Sequence, residues 1–344
     1  MEAQEHETSV CPEPIIFDGL FATFVYFVTT LGFGSAYSAV TTHELLYRKM
    51  YFEGVFSSRI IGRDLVLEIH QMLVLALGAR ANFLGSFRPL VVTGNLFTAI
   101  TIMNYAWFIL LIVLIRRALK TSYLPLGSQR ELWYVLIVMI GSSFMVITPY
   151  DTLSLVLLGA TLAVLDFKSV HRWWLVPIVI IGMLNRESEF VAIAAIVAMS
   201  ITGWQIVPRR IAITSVLTAG SSYAVLHSTR SQVGTLWEDI RRHVTANLHA
   251  WHALVGLALG LAVLGLWWLI TCQYVSDKVN VRGTRLWFLG LSAPYWIVAF
   301  TAGAWWESIR LLIPMIFVDF WILTRPSSSR ILAPVVVEQD TLRL

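Results

Sequence analysis

Charged residues are scarce in this chain. Only 13% of its 344 residues are Asp, Glu, Lys or Arg, and 57% are hydrophobic. In a soluble globular protein about a quarter of the residues are usually charged, so the composition excludes an ordinary soluble domain. The net charge of +4 is modest, and no nucleic-acid partner is expected. The mean hydropathy of +0.71 instead indicates an integral membrane protein in contact with lipid.

Cysteine is almost absent, and no spacing of side chains indicates a metal site. Cys11 and Cys272 lie far apart and match no metal-binding or redox pattern. No group of His, Asp and Glu residues has the sequence spacing of metal ligands. We therefore expect no metal ion held by the protein alone. A divalent cation that arrives with a substrate stays possible. Because the first residues include Glu2, Glu5 and Glu7 and lack a basic segment, no cleavable signal peptide is expected either.

Long apolar runs are what the chain has in abundance. Because a membrane helix needs roughly 20 apolar residues, the sequence predicts an all-α polytopic bundle of about ten spans over residues 15–325, with tails at 1–14 and 326–344. The predicted spans are Ile15–Val40, Leu90–Ile115, Glu131–Thr148, Leu153–Phe167, Trp173–Leu184, Phe190–Val207, Ile211–Leu226, Ala250–Cys272, Leu286–Thr301 and Ile309–Leu323.

The basic residues predict the orientation of these spans. Alternate connections carry Arg116-Arg117, Lys168 and Arg172, Arg209-Arg210, and then Lys278, Arg282 and Arg285. The opposite short connections hold only Arg186 and Arg310, each close to a Glu. The positive-inside rule therefore predicts a plasma (inner) membrane protein with both termini cytoplasmic and its polar turns on the extracytoplasmic side.

The first outer loop contains one further apolar stretch, Leu65–Phe83. Counting it as a span would invert every later helix and place the paired arginines outside. As a helix it would carry Asp64, Glu68 and Gln71 along one polar stripe. Such a pattern favours a helix that lies in the outer interface of the membrane.

Polar groups recur where the predicted spans turn on the outer side. Arginine binds phosphate oxygens through two-point contacts, and a carboxylate is a common general base for a hydroxyl acceptor. These groups together predict transfer from a phosphate-activated lipid to an acceptor outside the cytoplasm. They are Glu44, Arg59, Asp64 and Glu68 in the first loop, then Tyr150 and Asp151, then Asn185, Arg186, Glu187 and Glu189, and finally Glu307 and Arg310.

Each of these groups also has a purely structural interpretation. Asp151 follows Pro149 at a helix start, where helix capping explains an aspartate equally well. Arg186 with Glu187 or Glu189, and Arg310 with Glu307, are spaced as structural ion pairs. The clustering of all these groups on one predicted side of the membrane favours the functional interpretation.

Four short segments resemble the C-type (GT-C) membrane glycosyltransferases. They are Phe56-Ser57-Ser58-Arg59-Ile60-Ile61, Tyr150-Asp151, Leu184-Asn185-Arg186-Glu187 and Trp306-Glu307-Ser308-Ile309-Arg310-Leu311-Leu312-Ile313-Pro314. The resemblance covers roughly residues 15–325. The chain departs from the family pattern because its first loop has no adjacent pair of acids, and it lacks the large soluble C-terminal domain of many members.

The resemblance implies a polyprenyl-phosphate-linked sugar donor, a glycan or lipid acceptor and an inverting transfer at the outer face, in cell-envelope synthesis. A first-loop acid would be the catalytic base, here Asp64, Glu44 or Glu68. Arginines would hold the donor phosphate, here Arg59, Arg186 and Arg310. Tyr150, Asp151, Asn185, Glu187 and Glu307 would complete the substrate-binding set.

Three other functions stay open at this point. Arg59 and His70 have the Arg-x10-His spacing of a family of ten-span acyltransferases. A transporter or flippase would place acids within its spans along a pathway, and Asp319 is the single acid of that kind that the sequence indicates. A non-catalytic assembly subunit is the third alternative.

Overall fold

The computed structural model describes residues 13–32, 42–53, 59–87, 94–122, 124–165, 169–203, 207–228, 236–274, 279–302 and 308–324. Within these ranges the chain is helical and contains no strand. The predicted all-α fold class is therefore confirmed.

The described residues form fourteen α-helices, joined by short π and 3-10 turns. In chain order they are α1 (Glu13–Phe27), α2 (Glu44–Arg48), α3 (Ile60–Leu77), α4 (Phe97–Lys120), α5 (Leu126–Ser143), α6 (Asp151–Val164), α7 (Leu175–Asn185), α8 (Glu189–Ile201), α9 (Arg209–Ser228), α10 (Leu236–His249), α11 (Trp251–Cys272), α12 (Val279–Leu291), α13 (Ala293–Ala302) and α14 (Ser308–Thr324).

Helix α14 is the centre of the bundle. Every side chain from Leu311 to Thr324 is buried, and the helix packs against α5, α6, α8, α11 and α12. A helix that is apolar on all sides is stable when neighbours surround it. Arg310 therefore projects from the first turn of the most enclosed helix among the described residues.

A second, smaller core lies beneath the first-loop helices. It joins Tyr47 and Tyr51 from α2 and the π turn that follows, Val66 from α3, Phe97 from α4, and Tyr150. Because these side chains are fully buried together, the first loop is packed onto the start of α6.

Two helices, α4 and α11, are long and apolar enough to cross a membrane by length and composition. Other apolar helices are shorter, including α6 and α8. The arrangement of about ten spans therefore stays a prediction.

The predicted span Leu286–Thr301 is two helices, α12 and α13, with Ser292 between them. Pro294 explains the break, because proline disfavours helical backbone at the residue before it and is tolerated in a first helical turn. The break places Tyr295 in the first turn of α13. The prediction of one continuous helix was wrong here.

The predicted interfacial helix also differs in its bounds. Helix α3 covers Ile60–Leu77, whereas Leu65–Phe83 was expected. It ends at Gly78, whose positive φ of 55° turns the chain away from the helix axis. Helix α10 was not predicted at all, since its polar sequence gives no span signal.

Candidate functional site

The ends of several helices meet around Tyr150 and Asp151. The side-chain amide of Asn185, at the end of α7, donates to Tyr150 O at 3.1 Å and to Ser154 Oγ at 2.9 Å. Gly62 of α3 approaches so closely that a Cβ there would lie 2.1 Å from Pro149 O. These contacts hold α3, α6 and α7 together at one end of the bundle.

Asp151 lies between two guanidinium groups. One carboxylate oxygen pairs with Arg186 Nη1, and the other lies 3.6 Å from Arg310 Nη1. The side chain of Arg186 is only 8% exposed, that of Asp151 14% and that of Arg310 12%. A buried carboxylate needs such partners, because removal from water is costly.

Arg59 completes the group from the first loop. Its Nη2 donates to Glu187 Oε2 at 3.1 Å, and its guanidinium lies 4.3 Å from the centre of the Tyr150 ring. Burial alone would lower the pKa of Arg59, but the neighbouring Glu187, Tyr150 and Asp151 outweigh it, so the pKa is raised above its ordinary value. Arg59 is therefore a permanent positive charge.

We call Arg59, Arg186 and Arg310, together with Asp151, Glu187 and Tyr150, the arginine site. Arg186 also lies over the Tyr150 ring, 5.4 Å from its centre. Three guanidinium groups face two carboxylates, which leaves one excess positive charge among these described side chains. A positively charged, aromatic-walled site of this kind suits an anion with several acceptor oxygens.

The structure brings together most of the predicted binding residues. Arg59, Tyr150, Asp151, Asn185, Arg186, Glu187 and Arg310 are joined by direct contacts. Glu307 lies outside the described residues.

The ion pairs of the turn between α7 and α8 differ from the predicted ones. Arg186 pairs with Asp151 and not with Glu187 or Glu189. Glu187 pairs with Arg59, and the Glu189 carboxylate accepts a hydrogen bond from Thr161. The local pairs expected from spacing were wrong, because the turn sends successive side chains toward different helices.

The three candidate bases of the first loop do not form one group. Asp64 accepts hydrogen bonds from Arg63 at 2.7 and 3.3 Å and is 48% exposed. Glu68 is exposed on the outer side of α3. Glu44 lies in a separate open groove.

The groove that contains Glu44 has a volume of about 600 Å³. It is lined by His43, Glu44, Leu45, Arg48, Gly94 and Asn95. Hydrogen bonds from Arg48, and more weakly from Asn95, hold the pKa of Glu44 below its usual range. Among the described contacts Glu44 bonds to Arg48 and Asn95, and none of these contacts reaches the arginine site. Its geometry therefore suits a link between α2 and the turn before α4 better than proton transfer at that site.

Arg59 and His70 lie at different places along α3. Eleven residues at a rise of 1.5 Å each separate them by about 16 Å along the helix axis. His70 lies within electrostatic range of Glu44, whereas Arg59 contacts Glu187 and Tyr150. The two side chains therefore do not form a joint acyltransferase site in this structure.

Tyr295 lies within electrostatic range of the arginine site, and sequence reasoning did not predict it. The charges of Arg186, Asp151, Arg310 and Arg59 all act on its hydroxyl group, which lies 3.4 Å from Leu311 O. The proline that follows Ala293 was the available signal, because it predicts a helix break in an apolar run.

Comparison with protein-family models, with curated proteins and with solved structures finds no match to this chain. The relationship to GT-C enzymes that four short segments predict therefore stays a prediction.

Proposed function

We propose that this protein is a membrane-embedded glycosyltransferase. It binds a polyprenyl-phosphate-linked sugar at the arginine site and passes the sugar to a hydroxyl acceptor at the extracytoplasmic face. The observation that carries the proposal is the convergence of three guanidinium groups, which come from the start of α3, the turn after α7 and the first turn of α14, on one largely buried group with excess positive charge.

The arginines suit a phosphate that becomes a leaving group. In an inverting transfer, the acceptor oxygen attacks the anomeric carbon while the bond from that carbon to the phosphate oxygen breaks. Negative charge then grows on the departing phosphate. Fixed guanidinium groups stabilise that charge without reorganisation, which is the usual source of electrostatic catalysis.

Glu187 is the best-placed carboxylate to take the acceptor proton. Asp151 faces two guanidinium groups and is largely buried, so it serves to hold Arg186 and Arg310. Glu187 bonds to Arg59, and its side chain is still 32% exposed. A hydroxyl group of the acceptor can therefore approach it from the solvent. We therefore place the base at Glu187 in preference to the first-loop acids Asp64, Glu44 and Glu68.

The apolar surface supports a membrane location. Helix α11 exposes Leu254, Leu259 and Leu269, and α9 exposes Ile213 and Leu217. Soluble proteins rarely expose contiguous apolar surface on this scale. In the inner membrane, with the termini in the cytoplasm, this surface would face lipid tails and the arginine site would open outward.

The transfer reaction itself tests this proposal. The protein is reconstituted in liposomes with a polyprenyl-phosphate sugar that carries a radiolabel, and transfer of the sugar to a soluble sugar acceptor is measured. Binding of the donor and thermal unfolding of the protein are measured in parallel. Arg186→Lys is expected to lower donor binding at least tenfold, because lysine cannot make the two-point contact. The exposed Arg130, bonded to Tyr134, gives the matched control Arg130→Lys.

Glu187→Gln separates binding from chemistry in the same assay. The variant should still bind the donor but lose transfer by about 100-fold or more, the usual range for a missing general base. If Glu187→Gln transfers the sugar at the wild-type rate and Asp64→Asn does not, the base is Asp64 of the first loop and not Glu187. A fall in stability that matches the fall in activity for Arg186→Lys would instead mark a structural ion pair.

A lipid transporter is the second candidate, and one observation favours it. Besides Asp319, a second carboxylate, Glu189, is buried in the bundle and is 2% exposed. A carboxylate buried inside a membrane bundle without a basic partner is typical of transport pathways, and the hydrogen-bond partner of Glu189 in the described part of the chain is the neutral Thr161. Movement of a fluorescent polyprenyl phosphate across liposomes by the wild type, with no sugar transfer, would select this function.

A further inference from the structure

One face of α4 is exposed along the length of the helix. Its exposed apolar side chains, each three or four residues after the last, are Ile102, Ala106, Ile109 and Val113. Residues at this spacing lie on the same side of a helix, whereas residues on another side, such as Phe108 and Ile112, are buried in the core. Because α4 is long and apolar enough to cross a membrane, we expect this face to contact lipid.

The same face ends in two exposed cations. Arg117 follows Val113 by four residues, Lys120 follows Arg117 by three, and both side chains are exposed. From Ile102 to Lys120 the helix rises about 27 Å, which is close to the thickness of the hydrocarbon core of a bilayer, about 30 Å. The two cations therefore reach the level of the lipid headgroups when the apolar part of the face lies among the acyl chains.

Two further arginines lie at the same end of the bundle. Arg116 Nη2 pairs with Asp18 of α1 at 2.8 Å, and the hydroxyl of Tyr134 on α5 donates to the other oxygen of Asp18 at 3.0 Å. The exposed Arg130 in turn donates to the Tyr134 oxygen at 3.3 Å. These contacts join α1, α4 and α5 at one end of the bundle, which we call the basic end.

The basic end carries an excess of positive charge. The charged side chains of α1, α4 and α5 whose exposure the structure describes are Arg116, Arg117, Lys120, Arg130, Asp18 and Glu131. Four cations and two carboxylates leave two excess positive charges in this set. A lipid headgroup with a net negative charge complements them, whereas a zwitterionic headgroup brings no net charge.

We propose that the basic end and the exposed face of α4 bind an anionic phospholipid of the cytoplasmic leaflet. Arg117 and Lys120 contact the phosphate group of the lipid, and an acyl chain lies along Val113 and Ile109. Anionic lipids of this leaflet attract basic residues at the membrane surface. A soluble acidic protein would complement the charges but not the apolar face that continues from them. The site requires the proposed membrane orientation and is independent of sugar transfer.

Binding of two fluorescent lipids to the full-length protein in a neutral detergent tests this site. Phosphatidylglycerol and phosphatidylcholine carry the same fluorescent acyl chain, so only the headgroup differs. The wild type should bind phosphatidylglycerol more tightly. Arg117→Gln and Lys120→Gln should each weaken that binding about fivefold, the usual effect of one cation near an anionic membrane surface. Binding of phosphatidylcholine and the unfolding temperature should not change, because both side chains are exposed.

Arg241→Gln is the matched control. Arg241 is an exposed arginine of α10, and its replacement changes the net charge of the protein by the same amount. This variant should bind both lipids as the wild type does. Equal weakening of phosphatidylglycerol binding by Arg241→Gln would show attraction to net charge alone and overturn the site. Equal binding of the two lipids by the wild type would also overturn it and leave the basic end to an acidic protein partner.

The soluble headgroup distinguishes a lipid site from a phosphate site. Glycerophosphoglycerol has the headgroup of phosphatidylglycerol without its acyl chains, and it should compete only weakly with the fluorescent lipid. Competition as strong as that of the whole lipid would show that the α4 face contributes nothing and would overturn the lipid as the occupant. If sugar transfer proceeds while the wild type does not prefer phosphatidylglycerol, the lipid site is rejected and the proposed function stands.

Discussion

Two buried groups of charged side chains differ in how many of their polar atoms have hydrogen-bond partners. Asp319 accepts hydrogen bonds from Arg285 at 2.8 and 2.7 Å and from Trp267 at 2.8 Å. Arg285 also donates to Thr271 at 2.7 Å. This group joins α11, α12 and α14 with its acceptors occupied, whereas the turn beside the arginine site keeps the unpartnered atoms of Asn185 and Ser188. The first arrangement stabilises the fold, whereas the second is only partly hydrogen-bonded.

Asp319→Asn is expected to destabilise the protein without changing the arginine site. Removal of one partner from a buried ion pair costs roughly 3–5 kcal/mol, because the other charge stays buried. The unfolding temperature should fall markedly, while the affinity of the remaining folded protein for polyprenyl phosphate should not change. Asp18→Asn, at a partly exposed pair with Arg116, should have a much smaller effect. Loss of affinity in folded Asp319→Asn would connect the two groups functionally.

Among the helices, α3 depends on one glycine to reach the site. The absence of a side chain at Gly62 allows the helix to touch Pro149 O, where a Cβ would lie 2.1 Å away. Arg59 stands at the start of the same helix, so the position of its guanidinium follows from this contact. The close approach involves backbone on one side and therefore cannot be relieved by a side-chain rotation.

Gly62→Ala should consequently displace α3 and weaken the binding of polyprenyl phosphate at the arginine site. The expected loss of stability is about 1–3 kcal/mol, typical of overpacking, together with a several-fold weaker affinity. Gly127→Ala provides the comparison, since a Cβ at Gly127 in α5 meets open space and alanine favours a helix. Wild-type affinity in Gly62→Ala would show that α3 does not position Arg59.

The whole molecule has two chemically different ends. Arg116, at the end of α4, pairs with Asp18 of α1, while Asn104, near the start of α4, donates to Thr148 O beside the arginine site. Phe190 at the start of α8 contacts Tyr223 near the end of α9, with ring centres 5.6 Å apart. Helix α4 therefore runs from the end that holds the site to an end with the Arg116–Asp18 pair, and α8 and α9 run in opposite directions.

Cysteine labelling of intact cells tests the orientation of these ends. In a chain whose own cysteines are replaced by serine, Ser228→Cys at the site end should react with a membrane-impermeant thiol reagent from outside. Thr121→Cys at the basic end should react only after permeabilisation, as the positive-inside rule requires. Both positions are exposed. Reaction of Thr121→Cys in sealed cells, with protection of Ser228→Cys, would invert the proposed topology.

The sequence by itself determined the all-α class and the residue types of the site, because hydrophobic periodicity and rare polar residues are local properties of the chain. It also indicated Arg59, Asp151, Arg186 and Arg310. Only the tertiary structure decided that Arg186 pairs with Asp151 and that Glu187 reaches Arg59. These contacts join helices that lie far apart in sequence, and packing around α14, rather than spacing along one helix, brings them together.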